Sequence, residues 1–282
     1  MNALELKHVT KHYTDFMLND VSFSLPSGCI LGLIGENGAG KSTTIHLILN
    51  MLRRDGGDIC VLGRDNRDRF EQTKQEIGVV LDEACFPESL TARQVDAIMR
   101  YVYSRWDSSA FSRYLRRFSL PEQKPFKDFS RGMKMKLAIA VALSHEARLL
   151  ILDEATSGLD PVARDDILEI LYDFTRDETH SILISSHIVS DLEKLCDYIA
   201  FLREGRLLLC EEKDRLLERY GLLQCDRQTL QSLSPGVVSG VRESAYGVEA
   251  MVDRTKLPRS YTTSRLGIED IIVFLAKGGR NR

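Results

Sequence analysis

The sequence predicts an α/β fold built around a parallel β-sheet, and two observations along its first 210 residues or so lead to that class. Short unbroken aliphatic runs alternate with segments of helical periodicity, and the runs have the all-apolar composition of strands that are buried on both faces. The strands predicted in this way are residues 29–34, 77–81, 149–152, 181–185 and 207–210. A helix that contains Ile45 and Leu52 follows the first strand and is expected to stop at the turn Asp55-Gly56-Gly57.

Two segments depart from this alternation. Apolar residues recur at helical spacing, with no strand between them, over a segment that we place at about residues 85–147, which predicts a helical insert. After a charged helix predicted at residues 211–220, residues 221–282 alternate weakly, contain proline and glycine, and finish on an apolar helix at residues 268–276. We therefore expect a main domain over residues 1–220 and a small C-terminal α+β region.

The amino-acid composition is that of an ordinary globular protein, because 43% of the residues are apolar, 28% are charged and the formal net charge is −3. The chain lacks the basic excess of a nucleic-acid-binding protein, so no nucleic acid is predicted as a partner. No apolar run approaches the roughly 20 residues of a membrane-spanning helix, and the N-terminal segment lacks the apolar core of a secretory signal. The six cysteines form no CxxC pair, which favours reduced thiols and a cytoplasmic location.

Residues 35–42, Gly-Glu-Asn-Gly-Ala-Gly-Lys-Ser, match the GxxxxGK[ST] spacing of a phosphate-binding loop and lie between a predicted strand and a predicted helix. Glycines let the backbone N–H groups converge on a phosphate, and the N-terminus of the helix adds positive potential. The Lys41 ammonium is expected to reach the β- and γ-phosphate oxygens, and the Ser42 hydroxyl to ligate Mg²⁺. The nucleotide-binding residues predicted in this segment are Gly35, Asn37, Gly38, Ala39, Gly40, Lys41, Ser42 and Thr43. The loop alone does not distinguish kinases, GTPases, helicases and transport ATPases.

Two carboxylates, Asp153 and Glu154, follow the strand predicted at residues 149–152. At the C-terminal edge of a buried parallel strand, Asp153 would hold Mg²⁺ through a water beside the phosphate loop. Glu154 would then stand at the γ-phosphate, where a general base must orient or deprotonate the attacking water. The alternative is that both acids merely cap the strand.

Further segments resemble, in order along the chain, the ATP-binding cassette (ABC) ATPases of ABC transporters. Residues 153–161, Asp-Glu-Ala-Thr-Ser-Gly-Leu-Asp-Pro, resemble their Walker B motif and D-loop, and residues 129–133, Phe-Ser-Arg-Gly-Met, resemble their signature motif. Residues 181–187, Ser-Ile-Leu-Ile-Ser-Ser-His, resemble the strand that leads to their switch histidine. The resemblance covers residues 1 to about 220.

The resemblance implies roles for residues outside the phosphate loop. His187 would contact phosphate and act with Glu154 and Lys41 in catalysis, and Tyr13 would stack on the adenine ring. The other histidines have no such role.

Three further residues, Ser130, Gly132 and Asp160, are implied to bind nucleotide, the first two at the γ-phosphate of ATP held by the other subunit of a dimer. Structural alternatives remain, because Ser130 could merely cap the helix that follows it. In the same way, Asp160 followed by Pro161 makes a good helix start in its own right.

The sequence departs from the usual pattern of the family in two motifs. In the signature motif Arg131 replaces the first glycine and Met133 the glutamine, a variant similar to those of exporters of antibiotics and peptides whose permease is a separate polypeptide. At the Q-loop, after the strand at residues 77–81, Asp82 takes the place of the usual glutamine. Its carboxylate could ligate Mg²⁺, which prefers hard oxygen ligands, or it could be a solvated acid at the start of a loop.

The resemblance implies an ABC ATPase cassette with a RecA-like core, an N-terminal β-subdomain, the helical insert and the C-terminal extension. It further implies an ATPase that uses ATP and Mg²⁺ and pairs with a second copy of itself or a homologous cassette. Such a pair would power a separate permease at the inner face of the cell membrane. The alternative is an ABC protein that acts on ribosomes or DNA without a permease. Such proteins usually carry two cassettes or a long coiled-coil insertion, whereas this chain has one cassette and an insert of ordinary size.

Overall fold

The computed structural model describes residues 1–68, 70–82, 86–234, 236–244 and 247–278. The strands are β1 (Asn2–His12), β2 (Met17–Pro26), β3 (Ile30–Ile34), β4 (Gly56–Val61), β5 (Arg64–Asp65), β6 (Ile77–Val80), β7 (Leu149–Asp153), β8 (Ser181–Ser186), β9 (Tyr198–Arg203), β10 (Arg206–Glu212), β11 (Tyr220–Cys225), β12 (Val238–Ser244), β13 (Gly247–Asp253) and β14 (Ser264–Arg265). The α-helices are α1 (Lys41–Ile48), α2 (Phe70–Lys74), α3 (Ala92–Val102), α4 (Ser108–Arg117), α5 (Arg131–Ala142), α6 (Pro161–Phe174), α7 (Val189–Leu195), α8 (Lys213–Arg219), α9 (Arg227–Ser232) and α10 (Ile268–Gly278).

The central sheet, as far as the described residues define it, has the strand order β10-β9-β3-β8-β7-β6. The strands from β9 to β6 run parallel to their neighbours, and β10 adds an antiparallel edge. Every residue of β3, β7 and β8 is buried, as expected for strands that are covered on both faces. Successive side chains of β3 point to opposite faces, so Ile30 and Ile34 join one hydrophobic cluster while Leu31 and Leu33 join another. The predicted α/β fold class is confirmed.

An antiparallel sheet with the order β2-β1-β4-β5 covers one face of this core. Its buried residues, such as Leu4 and Leu18, share a hydrophobic cluster with Ile45 and Ile48 of α1 and with Leu33 of β3. The first helix is thus packed between the two sheets with its N-terminus at the end of β3.

The helix α1 is shorter than the sequence predicts, because it stops at Ile48 rather than continuing through Leu52. Asn50 adopts a left-handed φ of 53°, which ends the helical backbone and which asparagine tolerates better than most residues. The buried amide of Asn66 donates hydrogen bonds to the carbonyl oxygens of Leu47 (2.7 Å) and Ile48 (2.9 Å). A residue from outside the helix therefore hydrogen-bonds to carbonyl groups at the end of the helix. The sequence around the helix gives no indication of this contact.

The segment predicted as a helical insert contains α3, α4, a 3₁₀ turn at Phe126–Asp128 and α5, while Cys85 lies outside the described residues. After α5, the fully buried His145 stacks on Tyr103, the residue after α3, with ring centroids 3.7 Å apart. Burial lowers the pKa of His145 to about 4. This contact ties the C-terminal end of α3 to the end of the segment.

The C-terminal region forms an antiparallel sheet of order β12-β13-β11-β14 that is anchored to the main domain. Ile268, Ile271 and Phe274 of α10 are buried in the hydrophobic cluster that also contains residues of α5 and α6. The predicted helix at residues 211–220 is shorter in the structure, since Glu212 still belongs to β10, where it pairs with Tyr198 of β9, and α8 begins at the next residue.

Candidate functional site

The turn between β3 and α1 holds the predicted phosphate loop, and its backbone requires glycine. A Cβ on Gly35 would lie 2.5 Å from the carbonyl oxygen of Leu202 in β9. Gly40 has a φ of +107°, and its Cβ would lie 2.9 Å from the ring of Phe16. Gly38 has a φ of +81°, and no described heavy atom lies within 4 Å of its Cβ position. One side of the turn is therefore packed against β9, and the other borders open space.

A cavity of about 550 Å³ occupies that open side, a volume in the range of small-molecule sites. From the predicted loop it is lined by Asn37, Gly38, Gly40, Lys41, Ser42 and Thr43. Gly35 and Ala39 are not among its lining residues, because they form the packed side of the turn and Ala39 is only 4% exposed. Glu36 of the same loop also lines it, and the described lining residues from other segments are Asp15, Phe16, Asp82 and Glu154.

Lys41 is the first residue of α1 and is 6% exposed, which is unusual for a lysine. Its ammonium donates a hydrogen bond to the carbonyl oxygen of Gly35 (2.7 Å) and lies 3.5 Å from the Glu154 carboxylate. Burying the ammonium is costly unless anionic or carbonyl oxygens surround it, and both are present. The phosphate loop and the acid after β7 are thereby joined by a direct charge contact.

Glu154 follows β7 in a left-handed conformation, with a φ of 52°, that turns its side chain toward the cavity lining. Its backbone N–H donates to the carbonyl oxygen of Ser185 at 3.1 Å and so fixes the turn to β8. One carboxylate oxygen faces Lys41, and the other accepts a hydrogen bond from Nδ1 of His187 at 2.6 Å. His187 is half-exposed, so the three predicted catalytic residues form a chain from the buried loop to the surface.

The donors that the sequence assigns to Mg²⁺ fit that ion in their chemistry. Ser42 presents a hydroxyl in the cavity, and the buried Asp153 presents a carboxylate that accepts a hydrogen bond from the Ser185 hydroxyl. Nowhere in the described segments do three or more His, Cys, Asp or Glu side chains cluster as a metal cage. Few protein oxygens beside a phosphate site match the way Mg²⁺ is usually held, with phosphates and waters completing its shell. Ser185, which orients Asp153, was not singled out from the sequence.

The aromatic residue in the cavity lining is Phe16 rather than Tyr13. Tyr13 is 45% exposed and its ring centroid lies 6.3 Å from that of Phe16. Both belong to the turn between β1 and β2, where the Tyr13 N–H donates to the Phe16 carbonyl oxygen at 2.8 Å. Stacking of adenine on Tyr13 stays a prediction, and Phe16 is a second aromatic surface within reach of the same ligand.

The residues of the signature motif and D-loop lie at two helix starts outside the cavity lining. Ser130 caps α5, because its hydroxyl accepts a hydrogen bond from the Met133 N–H at 3.3 Å. Asp160 caps α6 through the Ala163 N–H at 2.9 Å, and this hydrogen bond lowers the pKa of the Asp160 carboxyl. A Cβ on Gly132 would lie 3.3 Å from Leu159, so the two turns are in contact. Within one chain, Ser130 and Asp160 therefore act as helix caps, the alternative role considered for them from the sequence. Their contact with a nucleotide in another chain stays a prediction.

Asp82 lines the cavity and is also bound to the signature motif. Nη2 of Arg131 donates to Oδ1 of Asp82 at 2.8 Å, and the side chains are 60% and 51% exposed. The sequence identified both residues as departures from the usual motifs but did not place them together. The proposed role of Asp82 as a Mg²⁺ ligand therefore has to account for this ion pair.

Comparisons with known proteins agree with this arrangement of motifs. A family model described as ABC transporter matches residues 18–157. The chain is 35% identical over 214 residues to the lantibiotic transport ATP-binding protein SrtF of Streptococcus pyogenes, which covers 75% of this chain and 91% of SrtF.

The similarity is not confined to the first 220 residues. The linearmycin resistance ATP-binding protein LnrL of Bacillus subtilis (strain 168) is 31% identical over 260 residues, which covers 90% of this chain and 83% of LnrL. A solved structure of an ATP-binding subunit of an ABC transporter shares 30% identity at a TM-score of 0.68, and covers 77% of this chain and 92% of the other.

Proposed function

This chain belongs to the family of ABC transporter ATP-binding proteins, and we propose that two copies of it bind two Mg·ATP between them and drive a separate membrane permease. The observation that carries the proposal is a chain of contacts between three distant motifs: Lys41 and Glu154 meet in the lining of one cavity, and His187 binds Glu154 from outside that lining. ATP binding and hydrolysis are the activity of the family. The dimer, the metal and the permease go beyond that family activity and are our proposals for this chain.

The chain of three residues suits hydrolysis of a terminal phosphate. Lys41 faces Glu154 at 3.5 Å, and it would turn its ammonium to phosphate oxygens when the cavity is filled. Glu154 would then have one carboxylate oxygen free to accept a proton from the attacking water, while His187 donates to the other oxygen and holds the carboxylate in place. Mg²⁺, bound by Ser42 and through water by Asp153, would neutralise charge on the β- and γ-phosphates.

The second half of the site has to come from another chain. Ser130, Gly132 and Asp160 lie outside the lining of the cavity in their own chain, yet Ser130 and Gly132 stand at the N-terminus of a twelve-residue helix that is well suited to anions. Two chains that face each other would each present this helix start to the nucleotide of the other. We propose a second copy of this chain as the partner, although a homologous cassette would serve the same geometry.

The permease and the cargo follow from the relatives. None of the helices in the described segments combines the length and the apolar composition that crossing a bilayer requires. SrtF and LnrL are named for lantibiotic transport and for linearmycin resistance. We therefore propose that this chain acts at the inner face of the cell membrane, through a permease that exports an antibiotic, a peptide or another small molecule. An ABC protein of ribosomes or DNA fits less well, because the similar proteins serve transport.

Substitution of Glu154 by glutamine tests the hydrolytic assignment. The variant should bind ATP like the unsubstituted chain but lose at least about 10²-fold in turnover, because an amide cannot take the proton of water. Glu71→Gln changes an exposed glutamate of α2 and serves as the matched control, with normal turnover expected. Near-normal phosphate release by purified Glu154→Gln would refute the assignment of the general base.

Isolation from membranes tests the permease. Tagged Glu154→Gln chain, held with Mg·ATP during detergent extraction from its own cells, should carry a polypeptide that has membrane-spanning helices of its own. Recovery of the chain with ribosomes, and none from the membrane fraction, would favour the rival function instead.

A further inference from the structure

The ion pair between Arg131 and Asp82 connects the signature motif to the nucleotide cavity within one chain. Asp82 follows β6 after one intervening residue, Leu81, and the last residue of β6, Val80, lies opposite Leu152 of β7. Asp82 and Glu154 therefore emerge at the same edge of the sheet, and both line the cavity. Arg131 reaches Asp82 from the first residue of α5.

The side chain of Arg131 also runs alongside the D-loop. A Cβ added at Gly158 would lie 3.5 Å from Cδ of Arg131 and 3.6 Å from its Cζ and Nε. The arginine thus passes close to the segment after β7 and binds the acid after β6.

Charge at the cavity explains why the pair matters. Among the described lining residues, four carry carboxylates (Asp15, Glu36, Asp82 and Glu154) and Lys41 alone carries a cationic group. The Lys41 ammonium already faces Glu154, so the cation nearest to Asp82 is Arg131, at 2.8 Å. A triphosphate would add further negative charge at this edge. Asp82 can therefore face an occupied site only if a cation stays with it.

We infer that Arg131 is a positioning residue that holds Asp82 while the cavity is empty, and that the metal of Mg·ATP takes Asp82 from it. Filling the cavity then frees the guanidinium at the signature turn, where the nucleotide of the second chain is expected. This inference rests on the proposed function, since it requires that Mg·ATP fills this cavity. Because a half-exposed ion pair is weak, the competition should change the Mg²⁺ requirement by a factor of about three to five rather than abolish binding.

The experiment titrates Mg²⁺ into the protein at a fixed concentration of a fluorescent ATP analogue, with all variants made in the Glu154→Gln background so that hydrolysis does not contribute. Arg131→Gln removes the competitor and should lower the Mg²⁺ concentration for half-maximal binding about three- to fivefold. Asp82→Asn removes the carboxylate and should raise that concentration, while binding without metal stays similar or becomes slightly tighter. Arg131→Lys retains a cation and should lie between Arg131→Gln and the parent.

The double variant distinguishes an effect of Arg131 through its contact with Asp82 from a general electrostatic effect of its positive charge on Mg²⁺. If Arg131 acts through Asp82, adding Arg131→Gln to Asp82→Asn should cause no further change in the Mg²⁺ midpoint. A further shift in the double variant, superimposable curves for Arg131→Gln and its parent, or changes of the same sign for both single variants would each overturn the inference. A parent protein that binds no analogue at any Mg²⁺ concentration would refute the proposed function itself, and the inference with it.

Discussion

At the cavity Lys41 and Glu154 are shielded from solvent and contact each other. At the signature edge, which comprises Ser130–Gly132 and Asp160, the charged side chains are exposed, and Ser130 and Asp160 bind mainly to their own helices. Lys41 and Glu154 are 6% and 13% exposed, while the guanidinium-bearing side chain of Arg131 is 60% exposed. The difference indicates that Lys41 and Glu154 are positioned by contacts within one chain. For the signature edge we propose a contact with the nucleotide of a second chain.

The two regions also differ in what fixes their shape. The phosphate loop is held by packing of Gly35 against β9 and by the buried Lys41 contacts, so it is organised before ligand arrives. The signature edge is held by two helix caps and one ion pair, each of them accessible to water. We therefore expect variants of the cavity to affect binding in one chain and variants of the edge to affect association of two chains.

Replacing Lys41 by alanine should produce the largest effect on binding. The buried ammonium is the cationic group of the described cavity lining, and charge-assisted hydrogen bonds to phosphate are among the strongest available. ATP affinity, measured by calorimetry, should fall on the order of 10³-fold, or about 4 kcal/mol. Lys74→Ala, in the partly exposed helix α2, is the matched control. An affinity within threefold of the unsubstituted chain would mean that the cavity is not the nucleotide site.

Acid should weaken the helical segment that carries the signature edge. The pKa of His145 is lowered by burial to about 4, below its value near 6.5 in the unfolded chain, so the neutral ring is favoured by folding. The stability gained is complete above pH 6.5 and is lost as pH falls through 4, to a limit of about 3 kcal/mol.

Denaturant unfolding at several pH values measures this loss. His145→Phe keeps the stack on Tyr103 but does not titrate, and its stability should fall less steeply than that of the unsubstituted chain between pH 6.5 and 4. Parallel curves for the two proteins would show that His145 does not contribute to acid sensitivity.

A negative charge at the signature edge should affect association alone. Gly132 lies in the first turn of α5, where an acidic residue is compatible with the helix dipole, so Gly132→Asp should still fold. In the Glu154→Gln background it should weaken ATP-dependent pairing about tenfold, because it would repel the nucleotide of the facing chain, and leave single-chain ATP affinity unchanged. Gln72→Asp in α2 adds the same charge elsewhere. If Gly132→Asp and Gln72→Asp weakened ATP-dependent association of the two chains equally, the signature edge would have no specific role in that association.

The contrast between the two regions also separates what the sequence could predict from what it could not. The phosphate loop is a local pattern of eight residues, and the buried strands before it and before Asp153 are continuous aliphatic runs, so their positions follow from short-range signals. The contact of Glu154 with His187 could be expected only from the resemblance to a family. The fold class was predictable for the same reasons.

Contacts between distant segments were not predictable. The end of α1 depends on Asn66, which is far along the chain, and the choice between Tyr13 and Phe16 depends on the shape of the turn between β1 and β2. Arg131 and Asp82 form an ion pair, but the sequence around each residue does not indicate that the other lies nearby. For the end of α1 and for the ion pair, the side chain that decides the local structure belongs to a different element.

The mass of the Glu154→Gln protein in solution tests the central claim most directly, namely that the signature edge of one chain completes the nucleotide site of a second. Light scattering should give the mass of one chain without nucleotide and twice that mass with saturating Mg·ATP, because this variant retains its ATP. Single-chain mass at saturating Mg·ATP, with nucleotide shown to be bound, would contradict it.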